Sequence, residues 1–140
     1  MSEEKSSSIL NLKVLTPDGP ILEGEVYEVS IPGTLGEMGI FPQHAALLTG
    51  IIPGRLAYRA PDGDDTAAVG RGVAEVQNNE VRILVNQAML REEIKVADLE
   101  TRRTALVEEI DKESHAAKLK ELEEELLLLD VQLQVGKGGE

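Results

Sequence analysis

Few side chains in this 140-residue sequence have the types and spacing needed for chemistry. His44 follows the apolar pair Phe41-Pro42, and His115 stands alone in a polar turn, so the two histidines form no recognisable metal pair. The glycine-rich stretch 33–39 contains one ionisable residue, Glu37, and it lacks both the lysine of a phosphate-binding loop and a second carboxylate for acid–base catalysis. We therefore predict no catalytic residue, no metal and no cofactor.

A second candidate is a run of acidic residues late in the chain, at Glu121 and 123–125. Such a run could suggest cation binding, but on a helix these carboxylates flank a row of leucines. We interpret them as a solvent-exposed helix face.

Charge and composition exclude several classes of partner. The formal net charge is −12, and it is divided equally between residues 1–92 and 93–140, so both parts repel phosphate backbones and anionic lipid. There is no cysteine, which suits a reducing compartment. The sequence has no apolar run of the roughly 20 residues that span a bilayer, and its first residues are polar. We expect a soluble, cytosolic chain that binds neither nucleic acid nor a membrane directly.

The first two-thirds of the sequence predict short β-strands. Apolar and polar residues alternate over 9–15, and the turn sequence Thr16-Pro17-Asp18-Gly19 follows, which predicts a hairpin. Alternation resumes over 25–31, and the glycine stretch is interpreted as a loop at one end of a β-layer. Residues 45–52 are mostly apolar and predict a strand buried on both faces. Four further strands between 55 and 85, separated by turn residues, favour an all-β sandwich or barrel.

After about residue 87 the apolar period becomes helical. Val96, Leu99, Leu106 and Ile110 keep a three–four spacing with Arg103 in the vacant position, and residues 111–114 interrupt it. A second helix is predicted to end near Gly136. Its leucines alternate at spacings of three and four residues, as at the a and d positions of a coiled coil: Leu119, Leu122, Leu126, Leu129 and Leu133. The two helices should form an antiparallel hairpin that is only marginally stable alone. Leu127 and Leu128 widen its apolar stripe, and we expect them to pack on the β-domain.

Residues 30–49 resemble a family signature: Ser-Ile-Pro-Gly-x-x-Gly-Glu-x-Gly-Ile-x-Pro-x-His-Ala-x-Leu-Leu-Thr. This pattern resembles the epsilon subunit of bacterial and chloroplast F-type ATP synthases, whose mitochondrial counterpart is called delta. The resemblance extends from about Leu12 to about Val135 and is strongest in the first ninety residues. It implies a fold of a ten-stranded β-sandwich followed by a two-helix hairpin.

The resemblance also implies a function and partners. The family's epsilon subunit is a non-catalytic part of the rotor's central stalk, which binds the gamma subunit and rests on the c-ring, so that proton-driven rotation reaches the catalytic alpha/beta hexamer. The family's ring-contact region corresponds here to Thr34, Glu37 and Met38, and His44 holds the matching histidine position near the gamma and ring interface. The implied location is the cytoplasmic side of the bacterial plasma membrane, as a peripheral part of the complex.

The helices of the family either fold onto the sandwich or extend along gamma into the hexamer, where they inhibit ATP hydrolysis. Basic residues on the extended helices then face an acidic segment of a beta subunit. The corresponding candidates in this chain are Arg102, Arg103, Lys112, Lys118 and Lys120. The acidic run beside them should weaken such docking.

Some family members bind ATP through a motif of the form Ile/Leu-Asp-x-x-Arg-Ala at the start of the first helix. The matching positions here are 94–99, where Lys95 replaces the carboxylate and Asp98 replaces the guanidinium, so the two charges are reversed. The shifted alternative at 99–104 keeps an acid and Arg103 but lacks the final alanine. The sequence therefore predicts weak or absent nucleotide binding.

Together these patterns predict four segments: a disordered tail over 1–8, a β-sandwich over 9–88, a helix hairpin over 89–136 and a disordered tail over 137–140. A different class of function also fits the helical part. A free-standing, chaperone-like module could use a leucine-seamed hairpin to clasp client chains. The order of the segments and the match over 33–48 favour the stalk subunit.

Overall fold

The computed structural model describes residues 8–138. The tails expected over 1–8 and 137–140 therefore lie mostly outside the described residues. The described chain consists of ten strands, a 3-10 turn at Arg91–Glu93 and two helices. A mainly β domain followed by a helix hairpin confirms the fold expected from the sequence.

The ten strands are short, as the spacing of the turn residues predicts. Their bounds are β1 Leu10–Thr16, β2 Gly19–Val26, β3 Glu28–Gly33, β4 Gly36–Ile40, β5 Leu47–Ile51, β6 Gly54–Ala60, β7 Gly63–Val69, β8 Gly72–Gln77, β9 Glu80–Val85 and β10 Ala88–Leu90. The last strand crosses the domain boundary expected after residue 88.

The strands form one continuous sheet that folds over into two five-stranded layers. Layer A has the order β2-β1-β9-β8-β5, and layer B has the order β4-β3-β6-β7-β10. The layers are joined where Gly33 of β3 pairs with Ile51 of β5. All pairings are antiparallel except that of β1 with β9.

Both layers contribute to one apolar core. Leu12 and Ile83 of layer A and Ile31 and Leu56 of layer B are almost completely buried in the same cluster. Side chains alternate between the two faces of a strand, so the apolar residues on the inward face of each strand meet between the layers. The described residues include no buried polar or charged side chain, and the interior is therefore held by apolar contact.

Two local expectations about the strands are wrong. The glycine stretch is not simply a loop, because Gly33 pairs with Gly36 and β4 runs antiparallel to β3 as far as Ile40 beside Val29. The segment 45–52 is not buried on both faces: Leu48 in β5 is 72% exposed. The cause is the position of the helices, which cover β6 and β7 of layer B and leave the outer face of layer A open.

The helices agree with the apolar period. Helix α1 spans Val96–Lys112 and helix α2 spans Ala116–Gly136, with a three-residue connector between them. Leu106, Leu122, Leu129 and Leu133 form their buried seam. Four of the other patterned residues pack against it: Val96, Leu99, Ile110 and Leu126. The antiparallel hairpin inferred from residue spacing is therefore confirmed.

The hairpin packs on the outer side of layer B. Helix α2 contacts β6 and β7. Ala67 and Val69 of β7 face the core, so Ala68 between them faces outwards, and yet it is buried. Helix α2 is the element that covers this side of the strand. Leu128 is half-buried and lines the space between hairpin and sandwich, whereas Leu127 remains 44% exposed, so only one of the two extra leucines packs as expected.

Candidate interaction surfaces

The β3–β4 hairpin ends in a two-residue turn, Thr34-Leu35. Gly36 adopts a φ of +122°, a conformation that favours glycine, and this closes the turn. The Thr34 amide donates to the Gly50 carbonyl at 3.0 Å, which fastens the tip to β5. A Cβ on Gly50 would lie 2.8 Å from Thr34 Cγ2, so the close approach requires glycine there. The tip is thus held against the sandwich while Leu35 is 93% exposed.

The structure assigns the expected contact residues of this region different roles. Thr34 lies at the tip, and Glu37 is exposed on β4. Met38 is only partly buried but packs against the core, so it is not the apolar side chain that is exposed at the tip. That side chain is Leu35, which sequence analysis missed. The signal was available, because two residues between pairing glycines predict a tight hairpin turn.

His44 lies at the other end of the sandwich from Thr34. Strand β4 begins beside Gly33 and ends beside Val29, so it carries the chain from the tip to the opposite end before the loop 41–46. His44 is half-buried, and its Nδ1 lies 2.8 Å from the Ala45 carbonyl oxygen. The structure therefore does not bring His44 together with the tip. Phe41 is exposed in the same loop.

The open face of layer A carries apolar side chains that sequence analysis assigned to the interior or did not single out. Val73 of β8 and Leu84 of β9 are cross-strand neighbours. Leu48 of β5 lies on the same face, because Gly50, two residues further on, is the cross-strand partner of Val73. All three are exposed: Leu48 by 72%, Val73 by 41% and Leu84 by 44%. We call these three residues the open apolar face.

Three of the five basic candidates on the hairpin, Arg102, Arg103 and Lys118, are engaged within it. Arg102 donates to both carboxylate oxygens of Glu125, at 2.8 and 3.0 Å, and to Glu109 at 3.1 Å. Arg103 donates to Asp130 at 2.7 Å, and Lys118 lies 3.6 Å from Glu121. The hydrogen bonds to these carboxylates raise the pKa of both arginines. Lys112 and Lys120 are exposed.

One ion pair joins the hairpin to the sandwich. Arg71, in the turn between β7 and β8, donates through both Nε and Nη2 to the carboxylate of Glu124 on α2. This hydrogen bond lowers the pKa of Glu124 and raises that of Arg71. The acidic run is therefore not only a solvent-exposed face, since Glu124 and Glu125 both bind arginines. Behind the ion pair lies a cavity of about 530 Å³ between α2 and the sandwich.

The remaining candidate positions show no arrangement for catalysis. Lys95 and Asp98 are both exposed at the start of α1. Across residues 8–138, no three His, Cys, Asp or Glu side chains are grouped so that they could hold a metal ion. His115 is exposed, with Nδ1 3.1 Å from Glu113.

An open groove of about 700 Å³ lies on layer B. Its lining includes two ion pairs, Arg59 with Glu28 and Arg91 with Asp65, each at 2.8 Å. Burial, followed by the charge of Asp65, raises the pKa of Tyr58 in the same groove. Each of these arginines thus already has a carboxylate partner.

Sequence comparisons place the chain in a known family. Residues 9–91 match the family described as ATP synthase, Delta/Epsilon chain, beta-sandwich domain. The ATP synthase epsilon chain of Prochlorococcus marinus strain AS9601 is 36% identical over 119 residues, which cover 82% of this chain and 89% of the relative. That of Parasynechococcus marenigrum strain WH8102 is 47% identical over 81 residues, or 58% of this chain and 60% of the relative.

Comparison with solved structures supports the same fold. A chain in the Euglena gracilis mitochondrial ATP synthase, in a structure of its OSCP, F1 and c-ring, superposes with a TM-score of 0.76 at 23% identity, covering 88% of this chain and 78% of that chain. A chain from the central stalk and c-ring of the Tetrahymena thermophila enzyme has a TM-score of 0.63 at 16% identity, with coverage of 91% and 96%.

Neither helix of the described chain has the length and hydropathy required to cross a bilayer. The two-layer sandwich, the helix hairpin after it and the sequence matches to epsilon chains lead to one assignment. The chain belongs to the ATP synthase delta/epsilon family, as an epsilon chain of the F-type enzyme.

Proposed function

We propose that this chain is a non-catalytic subunit of the central stalk that links the gamma subunit to the c-ring. Rotation driven by proton flow would then pass through the sandwich to gamma and to the catalytic alpha/beta hexamer. Related chains occur in solved assemblies that contain F1, the central stalk and the c-ring. On this proposal the subunit is peripheral, on the cytoplasmic side of the membrane, and requires no cofactor.

The observation that carries the proposal is the difference between the two outer faces of the sandwich. In layer B the outer side of β6 and β7 is packed against α2, whereas the open apolar face of layer A exposes Leu48, Val73 and Leu84. Apolar side chains clustered on one face are typical of a protein–protein contact. We assign this face to the gamma subunit.

The tip of the β3–β4 hairpin is assigned to the c-ring. Its exposed Leu35 offers an apolar contact, Thr34 a hydroxyl group and Glu37 a charge. The tip is fastened to β5 through the Thr34 amide. A fixed tip on a close-packed sandwich transmits force with little deformation.

The gamma assignment is tested with two leucines of equal exposure. Leu84 on the open apolar face and Leu127 on the hairpin are each 44% exposed. Leu84→Glu places a charge in the proposed interface and should weaken binding to purified gamma by about a hundredfold, since desolvating an unpaired charge costs several kcal/mol. Leu127→Glu should leave the affinity unchanged. Calorimetric titration of the full-length chains measures both.

Equal affinities for the wild type and Leu84→Glu would contradict the assignment of the open face. If the wild type, shown to be folded by circular dichroism, does not bind gamma, the stalk-subunit proposal itself fails.

We further propose that the hairpin regulates ATP hydrolysis by contacting the catalytic hexamer. For Arg102 and Arg103 to reach an acidic segment of a partner, their bonds to Glu125 and Asp130 must first break. In this chain, inhibition is therefore opposed by the hairpin's own carboxylates. The folded hairpin described here is the form that does not inhibit.

Two double variants separate the proposed effect of the carboxylates, which oppose inhibition, from that of the arginines, which support it. Glu125→Gln with Asp130→Asn removes the carboxylate charges that hold the arginines and should increase inhibition of ATP hydrolysis in the assembled enzyme. Arg102→Gln with Arg103→Gln should reduce it. Deletion of residues 93–140 provides the reference, and unchanged hydrolysis after this deletion would contradict the inhibitory role.

A further inference from the structure

The turn between β8 and β9 contains an asparagine that reaches a distant loop. The Asn79 side-chain oxygen accepts a hydrogen bond of 2.6 Å from the backbone amide of Gln43, 36 residues earlier in the chain. Gln43 belongs to the loop 41–46, which carries the exposed Phe41 and the half-buried His44. The bond thus joins a turn of layer A to the loop that connects β4 of layer B with β5 of layer A.

Asn79 is held in place by its own backbone. Asn78 and Asn79 have φ values of +52° and +61°, as required by a two-residue turn between antiparallel strands. The carbonyl of Asn79 accepts a hydrogen bond of 2.8 Å from the Asn11 amide at the start of β1. From its place in the β8–β9 turn, Asn79 therefore contacts both β1 and the loop 41–46.

The loop is in a conformation that needs such support. Gln43 has a φ of +65°, in the left-handed region that residues other than glycine rarely adopt. Conformations of this kind persist where surrounding contacts impose them. The hydrogen bond from the Gln43 amide to Asn79 is one such contact, and it acts directly on the strained residue.

We propose that Asn79 is a positioning residue for the gamma contact: it holds the loop 41–46 in the conformation in which Phe41 and His44 meet the partner. This inference rests on the proposed stalk function and on the expected interface position of His44. The loop leads directly into β5, which carries Leu48 of the open apolar face. A fixed loop therefore extends the proposed gamma contact from that face to the end of the sandwich.

The test compares three substitutions in the full-length chain. Asn79→Gly keeps the left-handed turn but removes the acceptor, and Asn79→Asp restores an acceptor at the same place. Asn78→Gly is the matched control, because it changes the same turn at the exposed neighbouring residue. The measurements are amide hydrogen exchange at Gln43, affinity for purified gamma and thermal unfolding.

In Asn79→Gly, loss of the acceptor should speed exchange at Gln43 by about tenfold and weaken gamma binding by about three- to tenfold. Asn79→Asp and Asn78→Gly should match the wild type in both. All variants should unfold within a few degrees of one another, which separates positioning of the loop from loss of the fold.

Unchanged exchange at Gln43 in Asn79→Gly would overturn the inference, as would an equal loss of gamma binding in Asn78→Gly. If the wild type and Asn79→Gly bind gamma equally well, Asn79 has no positioning role while the stalk function stands. If the wild type does not bind gamma, the proposed function fails first, and the role of the loop fails with it.

Discussion

The sandwich and the helix hairpin are stabilised by different forces. Among residues 8–138, sixteen apolar residues form the buried core of the sandwich, whereas four leucines are buried in the seam of the hairpin. The hairpin compensates with charge: Arg102 and Arg103 cross to Glu125 and Asp130 on the other helix, and Glu124 binds Arg71 of the sandwich. Apolar cores are insensitive to salt, but exposed ion pairs are screened.

This difference suits the two roles proposed for the chain. A close-packed core resists deformation and can carry torque. A hairpin held by a narrow seam and exposed ion pairs can exchange its partners at small cost in free energy. We thus assign stiffness to the sandwich and exchange of binding partners to the hairpin.

The strongest test of this comparison is a matched pair of core truncations. Leu56 in the sandwich and Leu106 in the hairpin are both fully buried. Leu56→Ala should lower the free energy of unfolding of the whole chain by about 2–5 kcal/mol. Leu106→Ala should lower helix content and leave unfolding of the sandwich nearly unchanged. Urea unfolding followed by circular dichroism at helix- and strand-sensitive wavelengths distinguishes them, and an equal global loss in both variants would contradict two separable regions.

A smaller effect is expected from adding one methyl group to the sandwich. A Cβ on Gly54 would lie 2.6 Å from Pro32 Cβ, whereas a Cβ on Gly24 would have no heavy atom within 4 Å. Gly54→Ala should therefore destabilise the fold by about 1–3 kcal/mol, and Gly24→Ala should be neutral. Equal thermal unfolding of the two variants would argue against tight packing of β6 on β3.

Salt should act mainly on the hairpin. Because the chain contains no cysteine, Asp18→Cys and Glu123→Cys can carry a pair of fluorescent dyes that report hairpin docking. Raising the salt concentration from about 0.02 to 0.5 M should screen the exposed pairs and lower energy transfer, with less change in an Arg71→Gln background. The sandwich, followed by amide exchange in β9, should not respond.

The smallest expected effect is that of acid on one ion pair. The bond from Arg71 lowers the pKa of Glu124 below its usual value of 4.5. A depressed carboxylate pKa contributes to docking at pH values above 4.5, and this contribution is lost as the pH falls through the lowered pKa. The same dye pair should show weaker docking in acid, and Arg71→Gln should flatten this dependence. Glu123→Gln, at the exposed residue next to Glu124, is the control for general effects of acid. Because residue 123 carries a dye in the other variants, the dye is attached at Gln132→Cys in this control.

Local patterns determined the elements of this protein. Alternation and turn residues predicted the strands of the sandwich except β4, which was interpreted as part of a loop, and β10. The three–four spacing of apolar residues predicted both helices and their connector, because each element buries one face of a regular period. The signature over 30–49 led to the family that the sequence matches then showed. The same family match decides against the free-standing chaperone-like module.

Only the tertiary structure decided which faces remain exposed. Leu48 lies in an apolar run and was expected inside, but it is exposed because the hairpin packs on β6 and β7 of layer B and not on layer A. Leu35, which was not singled out, is the exposed apolar residue of the tip because the turn falls at 34–35, and Met38 packs against the core. Arg102 and Glu124 find partners on other elements. The sequence period thus determines which residues of an element share a face, whereas the packing of elements distant in the chain determines what, if anything, covers that face.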